Sequence, residues 1–224
     1  MTLNLKKMAG EKAAEHVQNG MALGLGTGST VRFFVERLGE LVGEGLDVVG
    51  VPTSKRTEDL ARQVGVPLTT LEETPALDLA VDGADEVDPN LNLVKGMGGA
   101  LLREKIVASS CREFIVIADE SKLVDKLGTK SPLPVEITQF GWTSVKEWIS
   151  KLGCIPNLRK VEGSPYLTDN QNYLLECEFK GIDDPHGLDK RLHSLPGVVE
   201  TGLFLDMACR AIIGKESGVQ EIEK

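Results

Sequence analysis

Several residue types that build common functional sites are scarce in this sequence. Its 224 residues include only three histidines and four cysteines, and no two cysteines form a CxxC pair. The thiols of Cys111, Cys154, Cys177 and Cys209 are scattered along the chain. We therefore expect no zinc site, and we expect these cysteines to be small core residues in a reducing compartment.

Positive charge and long apolar runs are also lacking. The formal net charge of −9 argues against non-specific nucleic-acid binding, because such binding requires clustered positive charge. No run approaches the roughly 18 apolar residues of a membrane span, and the first 20 residues contain no apolar signal core. We expect a cytoplasmic protein with no nucleic-acid or membrane partner. A local positive pocket can still bind an anionic substrate.

The apolar residues alternate between helical and strand-like patterns. Aromatic residues make up only 4% of the chain against 41% hydrophobic residues, so an aliphatic core is expected. The predicted helices cover residues 3–19, 29–42, 54–64 and 99–110, and the predicted strands cover 21–25, 46–51, 66–71, 77–81 and 113–118. This alternation predicts an α/β fold, a Rossmann-like parallel sheet with helices on both faces.

The pattern changes after Lys130, where Pro132 and Pro134 flank a leucine. The remaining segments are short, with predicted strands at 135–137, 173–179 and 197–204 and predicted helices at 143–152 and 188–195. They indicate a smaller α+β domain. The sequence thus predicts a catalytic domain of residues 1–130, to which 205–224 return, and a small domain of residues 131–204.

A glycine-rich turn, Gly26–Thr30, follows the first predicted strand and opens a helix. Its backbone N–H groups and hydroxyls can bind a phosphate with the help of the helix dipole. The turn lacks the lysine of a Walker A loop and the spacing of a dinucleotide fingerprint. A plain strand-to-helix turn with Ser29 as the N-cap is the alternative, and the sequence leaves both open.

Two aspartates, Asp82 and Asp85, follow the predicted strand 77–81. Carboxylates separated by two small residues can bind sugar hydroxyls or transfer protons. Divalent metal binding is a rival function, since hard cations prefer clustered carboxylates. A solvated acidic turn that runs on into Glu86 and Asp88 is the alternative without function.

The segment Lys95–Lys105 reads KGMGGALLREK and combines a glycine run, cations and a carboxylate. A carbonyl next to a C–H bond can be enolised when a carboxylate removes the proton and a cation stabilises the oxyanion. Glu104 lies in an apolar-rich predicted helix, so burial is expected to raise its pKa. The alternative is an exposed i,i+4 ion pair.

Lys122, after a further strand, is either a phosphate contact or an exposed turn lysine.

We expect these clusters at the carboxyl ends of the strands, where ligands bind in parallel α/β sheets. The motifs GLGTGST, DGADE, KGMGGALLREK and IADESK occur in this order, and together they resemble the type A ribose-5-phosphate isomerases. The segments Pro132–Glu136 and Pro196–Phe204 match that family as well. The resemblance covers essentially the whole chain.

The resemblance implies interconversion of D-ribose 5-phosphate and D-ribulose 5-phosphate through an enediolate, in the non-oxidative pentose phosphate pathway, without metal or organic cofactor. It implies that Glu104 is the base, that Asp82 and Asp85 bind hydroxyls and help to open the sugar ring, and that Lys95 is the cation beside the reacting oxygens. It further implies substrate contacts at Thr27, Gly28, Ser29, Thr30, Gly83, Ala84, Gly96, Met97, Gly98, Lys122 and Lys6. A homodimer or homotetramer is expected.

One residue departs from the family pattern. Many members read Lys-Gly-Gly-Gly where this chain has Lys95-Gly96-Met97-Gly98. Methionine adopts positive φ less readily than glycine, so strain would follow if position 97 required that conformation. We expect a tolerated variant.

Other functions are weighed against isomerisation. An amino-sugar phosphate deaminase often uses a histidine, and no histidine lies in a dense cluster here. A coenzyme A transferase could use a glutamate nucleophile but is usually a larger chain. A non-catalytic sugar-phosphate sensor should carry a basic DNA-reading module, and no such module is expected before the first glycine loop.

Overall fold

The computed structural model describes residues 2–224, so Met1, where the first predicted domain begins, lies outside the described residues. The chain forms two compact units. The first unit comprises Met1–Ala84, Arg103–Lys122 and Asp206–Lys224, and the second comprises Asp85–Leu102 and Leu123–Leu205. The domain bounds drawn from the sequence stay a prediction.

Six α-helices and fifteen strands are present in the described residues. The helices are α1 (Thr2–Ala14), α2 (Val31–Gly43), α3 (Lys55–Gln63), α4 (Leu101–Ser109), α5 (Trp142–Ser150) and α6 (Pro185–His193). The strands are β1 (Met21–Leu25), β2 (Val48–Pro52), β3 (Leu77–Gly83), β4 (Glu86–Val87), β5 (Leu93–Val94), β6 (Cys111–Asp119), β7 (Leu133–Ile137), β8 (Ile155–Leu158), β9 (Lys160–Val161), β10 (Ser164–Pro165), β11 (Tyr173–Glu178), β12 (Val198–Thr201), β13 (Leu203–Phe204), β14 (Arg210–Lys215) and β15 (Gly218–Glu223). Within residues 2–224, no helix is both long and apolar enough to cross a membrane.

The first unit is built on a six-stranded sheet with the order β15-β14-β6-β3-β1-β2. Every neighbouring pair is parallel except β14 and β15, which form an antiparallel hairpin at one edge. The predicted α/β fold with a Rossmann-like sheet is confirmed. The antiparallel edge strand β15 was not predicted. None of its residues is buried, so its sequence has no continuous apolar face that would indicate a strand.

Helices cover both faces of this sheet. Leu23 and Leu25 of β1 pack into one core cluster with Ala9 of α1 and Phe34 of α2. Side chains alternate between the faces of a strand, so Gly24 faces the other way. There, a Cβ added to Gly24 would lie 2.5 Å from Cγ1 of Val107 on α4. The glycine therefore allows α4 to pack closely on the sheet.

Two predictions for this unit were wrong, one for a strand and one for the length of a helix. The predicted strand at 66–71 is reduced to a single bridge between Leu68 and Gly50. The first helix ends at Ala14 rather than at residue 19, and Glu15, His16 and Val17 continue in turns. A periodic pattern predicts strands least reliably in short apolar runs, and this run also contains Pro67.

The second unit contains three antiparallel sheets, with the orders β12-β7-β11-β8, β13-β5-β4 and β10-β9. The predicted strand at 197–204 is split by Gly202 into β12 and β13. A Cβ on Gly202 would lie 2.3 Å from the carbonyl oxygen of Lys95, so the backbones meet closely at this point. The strand β5, which precedes Lys95, is thereby fixed against β13.

Glu86, at the start of β4, is a buried structural anchor. Its side chain is fully buried. Oε2 accepts a hydrogen bond from the amide of Gly128 at 2.6 Å, and Oε1 accepts from the amides of Lys130 and Ser131 at 2.6 Å. The alternative of a solvated acidic turn is therefore wrong for this residue.

A second fully buried carboxylate, Glu136, lies on β7. Its Oε1 accepts hydrogen bonds from Oγ1 of Thr168 and Nδ2 of Asn172, both at 2.9 Å. Burial raises the pKa of the Glu136 carboxyl above its ordinary value, and the hydrogen bonds from Asn172 and Thr168 offset part of that rise. Ionising this group is consequently less favourable in the folded protein than in the unfolded chain.

The Glu136→Gln variant tests this burial through the pH dependence of stability. An acid with a raised folded-state pKa stabilises the protein fully below its unfolded value, here 4.5, and that contribution is lost as the pH rises through the folded value. The free energy of unfolding of the variant should therefore rise relative to the parent protein as the pH increases above 4.5. Urea denaturation at several pH values measures this difference. The exposed Glu147→Gln is the matched control, and a pH-independent difference for Glu136→Gln would contradict the account.

Candidate active site

Polar residues of the first unit gather at one edge of its sheet. The strands β6, β3, β1 and β2 are parallel neighbours, so their carboxyl ends lie side by side. The segments that follow these ends are, in that order, Glu120–Lys122, the residues after Asp82, Gly26–Thr30 and Thr53–Thr57. Topology alone thus brings the predicted glycine-rich turn beside Asp82, as expected for ligand sites in parallel sheets.

The carboxylate of Asp82 ties two of these strand ends together. Oδ1 accepts hydrogen bonds from the amide of Thr27 at 3.0 Å and from the amide of Gly83 at 2.7 Å. Asp82 is only 3% exposed. A Cβ on Gly26 would lie 2.2 Å from Cγ and Oδ1 of Asp82, so the turn needs glycine at this position. The carboxylate therefore fixes the shape of the glycine-rich turn.

A cluster of buried hydroxyls supports the turn from the β2 side, and sequence reasoning missed it. Oγ1 of Thr27 lies 2.7 Å from Oγ1 of Thr53, 2.8 Å from Oγ of Ser54 and 3.1 Å from Oγ1 of Thr57. Oγ1 of Thr57 also donates to the carbonyl oxygen of Gly26 at 2.8 Å. The polar groups of Thr27 thus have partners within the protein. The polar run after β2 was the only signal in the sequence that could have indicated them.

The remaining residues of the turn lie next to a cation. Nζ of Lys6, on α1, donates a hydrogen bond to Oγ of Ser29 at 2.9 Å. Gly28 has a φ of 149°, and a Cβ there would meet nothing within 4 Å. Helix α2 begins at Val31 with Thr30 as its N-cap, so the alternative in which Ser29 is the cap is wrong. A lysine, a hydroxyl and a helix N-terminus together favour an anion at this place.

Glu104 lies beside Asp82 in a small recess of the first unit. The recess is lined by Gly24, Gly26, Thr53, Ala80, Val81, Asp82, Glu104, Val107, Ala108 and Phe114. Glu104 is 2% exposed, so the alternative of an exposed helical ion pair is wrong. The side chains of Val107 and Phe114 make part of this lining apolar. A carboxylate in such a place can act as a base toward a bound carbon acid.

Lys122 lies at the next strand end. It closes the short 3₁₀ turn Glu120–Lys122 and is half-buried. Asp119, 2% exposed, ends β6, and its Oδ1 accepts hydrogen bonds from the amide and the hydroxyl of Ser121. The turn that carries Lys122 is therefore well ordered, and the side chain is neither fully exposed nor fully buried.

The second unit contains five of the predicted site residues, Asp85, Lys95, Gly96, Met97 and Gly98. Lys95 is 2% exposed, its amide donates to the carbonyl oxygen of Gly202 at 2.9 Å, and its Nζ lies 5.2 Å from the ring centroid of Phe204. Asp85 is half-buried, and its Oδ2 accepts a hydrogen bond from the amide of Met97 at 3.0 Å. Asp85 therefore holds the glycine-rich loop that follows Lys95.

Methionine at position 97 causes no backbone strain. The residues of this loop with positive φ are Gly96, at 101°, and Gly99, at 84°, whereas Met97 is absent from the positive-φ conformations of the described chain. A Cβ on Gly96 would also lie 2.8 Å from Leu101. The expectation of a tolerated variant agrees with this geometry, because the loop places its left-handed conformations at the flanking glycines.

A further cluster of polar side chains involves His193, to which no chemistry was assigned. Its Nε2 lies 2.9 Å from Oε1 of Glu200, and its Nδ1 lies 3.3 Å from Oδ2 of Asp189. The three side chains lie close enough together to hold a metal ion. Two carboxylates on either side of one imidazole also form a stable ion-pair group when the ring is protonated.

The first unit has an α/β fold of a kind that many enzymes share, and its recess holds two buried carboxylates, Glu104 and Asp82. The family model for ribose 5-phosphate isomerase A (phosphoriboisomerase A) matches residues 49–218. The chain belongs to the ribose 5-phosphate isomerase A family.

Individual relatives are similar over nearly their full length. The ribose-5-phosphate isomerase A of Bacillus mycoides is 52% identical over 220 residues, which cover 98% of this chain and 99% of the relative. The solved ribose 5-phosphate isomerase of Plasmodium falciparum is 44% identical with a TM-score of 0.96 and covers 99% of both chains. Another solved D-ribose-5-phosphate isomerase, in complex with phospho-erythronic acid, is 42% identical with a TM-score of 0.97 over 100% of both chains.

The Gly26→Ala variant tests the contact between the turn and Asp82. Its Cβ would overlap the Asp82 side chain and lie 2.6 Å from the Asp82 Cα, so either the turn or the carboxylate must move. We expect a loss of about 1–3 kcal/mol in the free energy of unfolding, the usual range for overpacking. Gly43→Ala is the matched control, since a Cβ there meets nothing within 4 Å. Equal stability of the two variants in urea denaturation would contradict the contact.

Proposed function

We propose that this chain catalyses the interconversion of D-ribose 5-phosphate and D-ribulose 5-phosphate. The observation that carries the proposal is the recess of the first unit, in which two buried carboxylates, Glu104 and Asp82, lie together at the carboxyl ends of parallel strands. Membership of the isomerase family supplies the substrate. The glycine-rich turn with Lys6 supports a phosphorylated ligand.

The chemistry is a proton transfer between neighbouring carbons. Glu104 removes the proton from C2 of the open-chain aldose, and the electrons of that C–H bond form an enediolate with negative charge on O1. The hydroxyl proton of O2 moves to O1, Glu104 returns its proton to C1, and the carbonyl forms at C2 to give the ketose. General-base assistance of this kind contributes roughly 10²–10⁴-fold to a rate. Glu104 is 2% exposed, so a proton on its carboxyl group has little direct contact with bulk water.

The other expected residues serve binding and charge stabilisation. Asp82 and Asp85 bind hydroxyls and help to open the ring, and Lys95 stabilises negative charge on the reacting oxygens. The phosphate is bound by Gly28, Ser29 and Thr30 with Lys6. The remaining substrate contacts are Lys122, Gly83, Ala84, Gly96, Met97 and Gly98. Thr27 acts chiefly by holding the turn, because both its amide and its hydroxyl have protein partners.

The reaction is proposed to need no metal or organic cofactor. The relative bound to phospho-erythronic acid supports a phosphorylated polyhydroxy ligand of about this size.

A cytoplasmic location and a homodimer or homotetramer also remain proposals. Light scattering of the purified protein measures the assembly directly.

The Glu104→Gln variant tests the assigned base. Glutamine keeps the size and one oxygen of the side chain but cannot accept the proton, so turnover of ribose 5-phosphate should fall by at least about a hundredfold. The melting temperature should remain close to that of the parent protein. Ketose formation is measured with and without EDTA, and the parent activity should survive the chelator.

The exposed Glu113→Gln, on the adjacent strand β6, is the control and should keep full turnover. Turnover of Glu104→Gln within a few-fold of the parent value would remove Glu104 from the mechanism. A folded parent protein that forms no ketose would instead refute the isomerase activity and favour a sugar-phosphate sensor.

A further inference from the structure

The loop that follows Lys95 is held by a cation in the second unit to which no role has been assigned. Nη1 of Arg159 donates a hydrogen bond to the carbonyl oxygen of Met97 at 3.1 Å, and Nη2 lies 3.8 Å from the Met97 sulfur. On the other side of the same residue, the Met97 amide donates to Asp85. Both backbone polar groups of Met97 are therefore bonded to charged side chains.

Arg159 is itself fixed by its surroundings. Its Nε donates to Oε1 of Glu176 at 2.7 Å, and its side chain is only 12% exposed. The amide of Arg159 donates to the carbonyl oxygen of Leu174 at 2.9 Å, and Glu176 lies on the central strand β11. A guanidinium that is anchored at one end can present its remaining donors in a fixed direction.

Tyr166 completes the contact with the loop. Its ring lies 5.6 Å from the Arg159 guanidinium carbon, a distance suited to a cation–π interaction. A Cβ on Gly99 would lie 2.3 Å from the Tyr166 hydroxyl oxygen, so this tyrosine packs directly against the end of the loop. Arg159, Tyr166 and Glu176 together form what we call the loop brace.

We propose that the loop brace is a positioning device for the reaction, and that Arg159 is its central positioning residue. It fixes the backbone of Gly96–Gly98 in the conformation that binds substrate, and the Met97 side chain adds a contact that a glycine at this position would lack. The inference rests on the proposed substrate contacts of the Lys95–Gly98 loop. Arg159 acts through the loop and needs no contact with the substrate.

Steady-state kinetics of Arg159→Ala test the proposal. Without Arg159 the loop is free to move, and the substrate must order it on binding. KM should therefore rise roughly ten- to a hundredfold, the usual effect of losing a charge-assisted hydrogen bond or of misplacing a binding group. The value of kcat should change less. Arg159→Lys keeps the charge but not the forked geometry, so its KM should lie between those of the parent and the alanine variant.

Two further variants separate positioning from stability. Glu176→Gln should raise KM in the same direction, and the double variant with Arg159→Ala should be no worse than Arg159→Ala alone, because both changes break one brace. Arg191→Ala, an exposed arginine on α6, is the matched control and should keep the parent kinetics. Melting temperatures are measured for every variant.

The outcomes distinguish the brace from the function on which it rests. If Lys95→Ala loses turnover while Arg159→Ala and Arg159→Lys keep the parent KM, the brace does not position the loop and the proposal is overturned. The proposal is also overturned if the arginine variants keep the parent KM and differ from the parent protein only in a lower melting temperature. If Lys95→Ala keeps full turnover and KM, the role of the loop itself is wrong, and the brace proposal falls with it while the isomerase activity of the parent protein stands.

Discussion

The carboxylate of Asp82 is the contact on which the site of the first unit depends. Its Oδ1 accepts hydrogen bonds from the amides of Thr27 and Gly83, so this one side chain joins the end of β3 to the turn after β1. A buried carboxylate is costly unless hydrogen-bond donors compensate it, and here two backbone amides do so. The glycine-rich turn takes its shape from this contact, and Ser29 reaches Lys6 from that turn.

A second constraint is the small size of the residues between α4 and the sheet. Gly24 and Ala80 allow Val107 to lie against the strands, and this close approach brings Glu104 into the recess beside Asp82. A larger residue at position 24 would push the helix away from the sheet. The position of the proposed base therefore depends on a residue that carries no chemistry of its own.

Much of this arrangement could be predicted from the sequence, because it follows from local patterns. The strand β1 has the predicted bounds of 21–25, and β3 and β6 end at or next to Asp82 and Asp119, where short apolar runs stop at acidic residues. The resemblance then named Glu104, Asp82 and Lys95 as site residues, and their burial shows that they are not surface charges.

The rest could not be predicted, because it depends on contacts between distant segments. The hydroxyl contacts of Thr27 with Thr53 exist only because Leu25 of β1 is paired with Pro52 of β2. The contact of Arg159 with Met97 joins residues 62 positions apart. The raised pKa of Glu136 likewise comes from burial in a sheet that the sequence indicated only as short strands.

The central claim is that a proton moves between C1 and C2 on the buried carboxylate of Glu104, and hydrogen exchange with solvent tests it most directly. Ribose 5-phosphate is equilibrated with the protein in D₂O and examined by NMR, with a sample lacking protein as the control. Each molecule passes through the enediolate many times, so even slow exchange of the Glu104 proton accumulates. We predict deuterium at C2 of the aldose and at C1 of the ketose. A fully equilibrated mixture that contains only protium at both carbons would show a direct hydride shift and would contradict the mechanism.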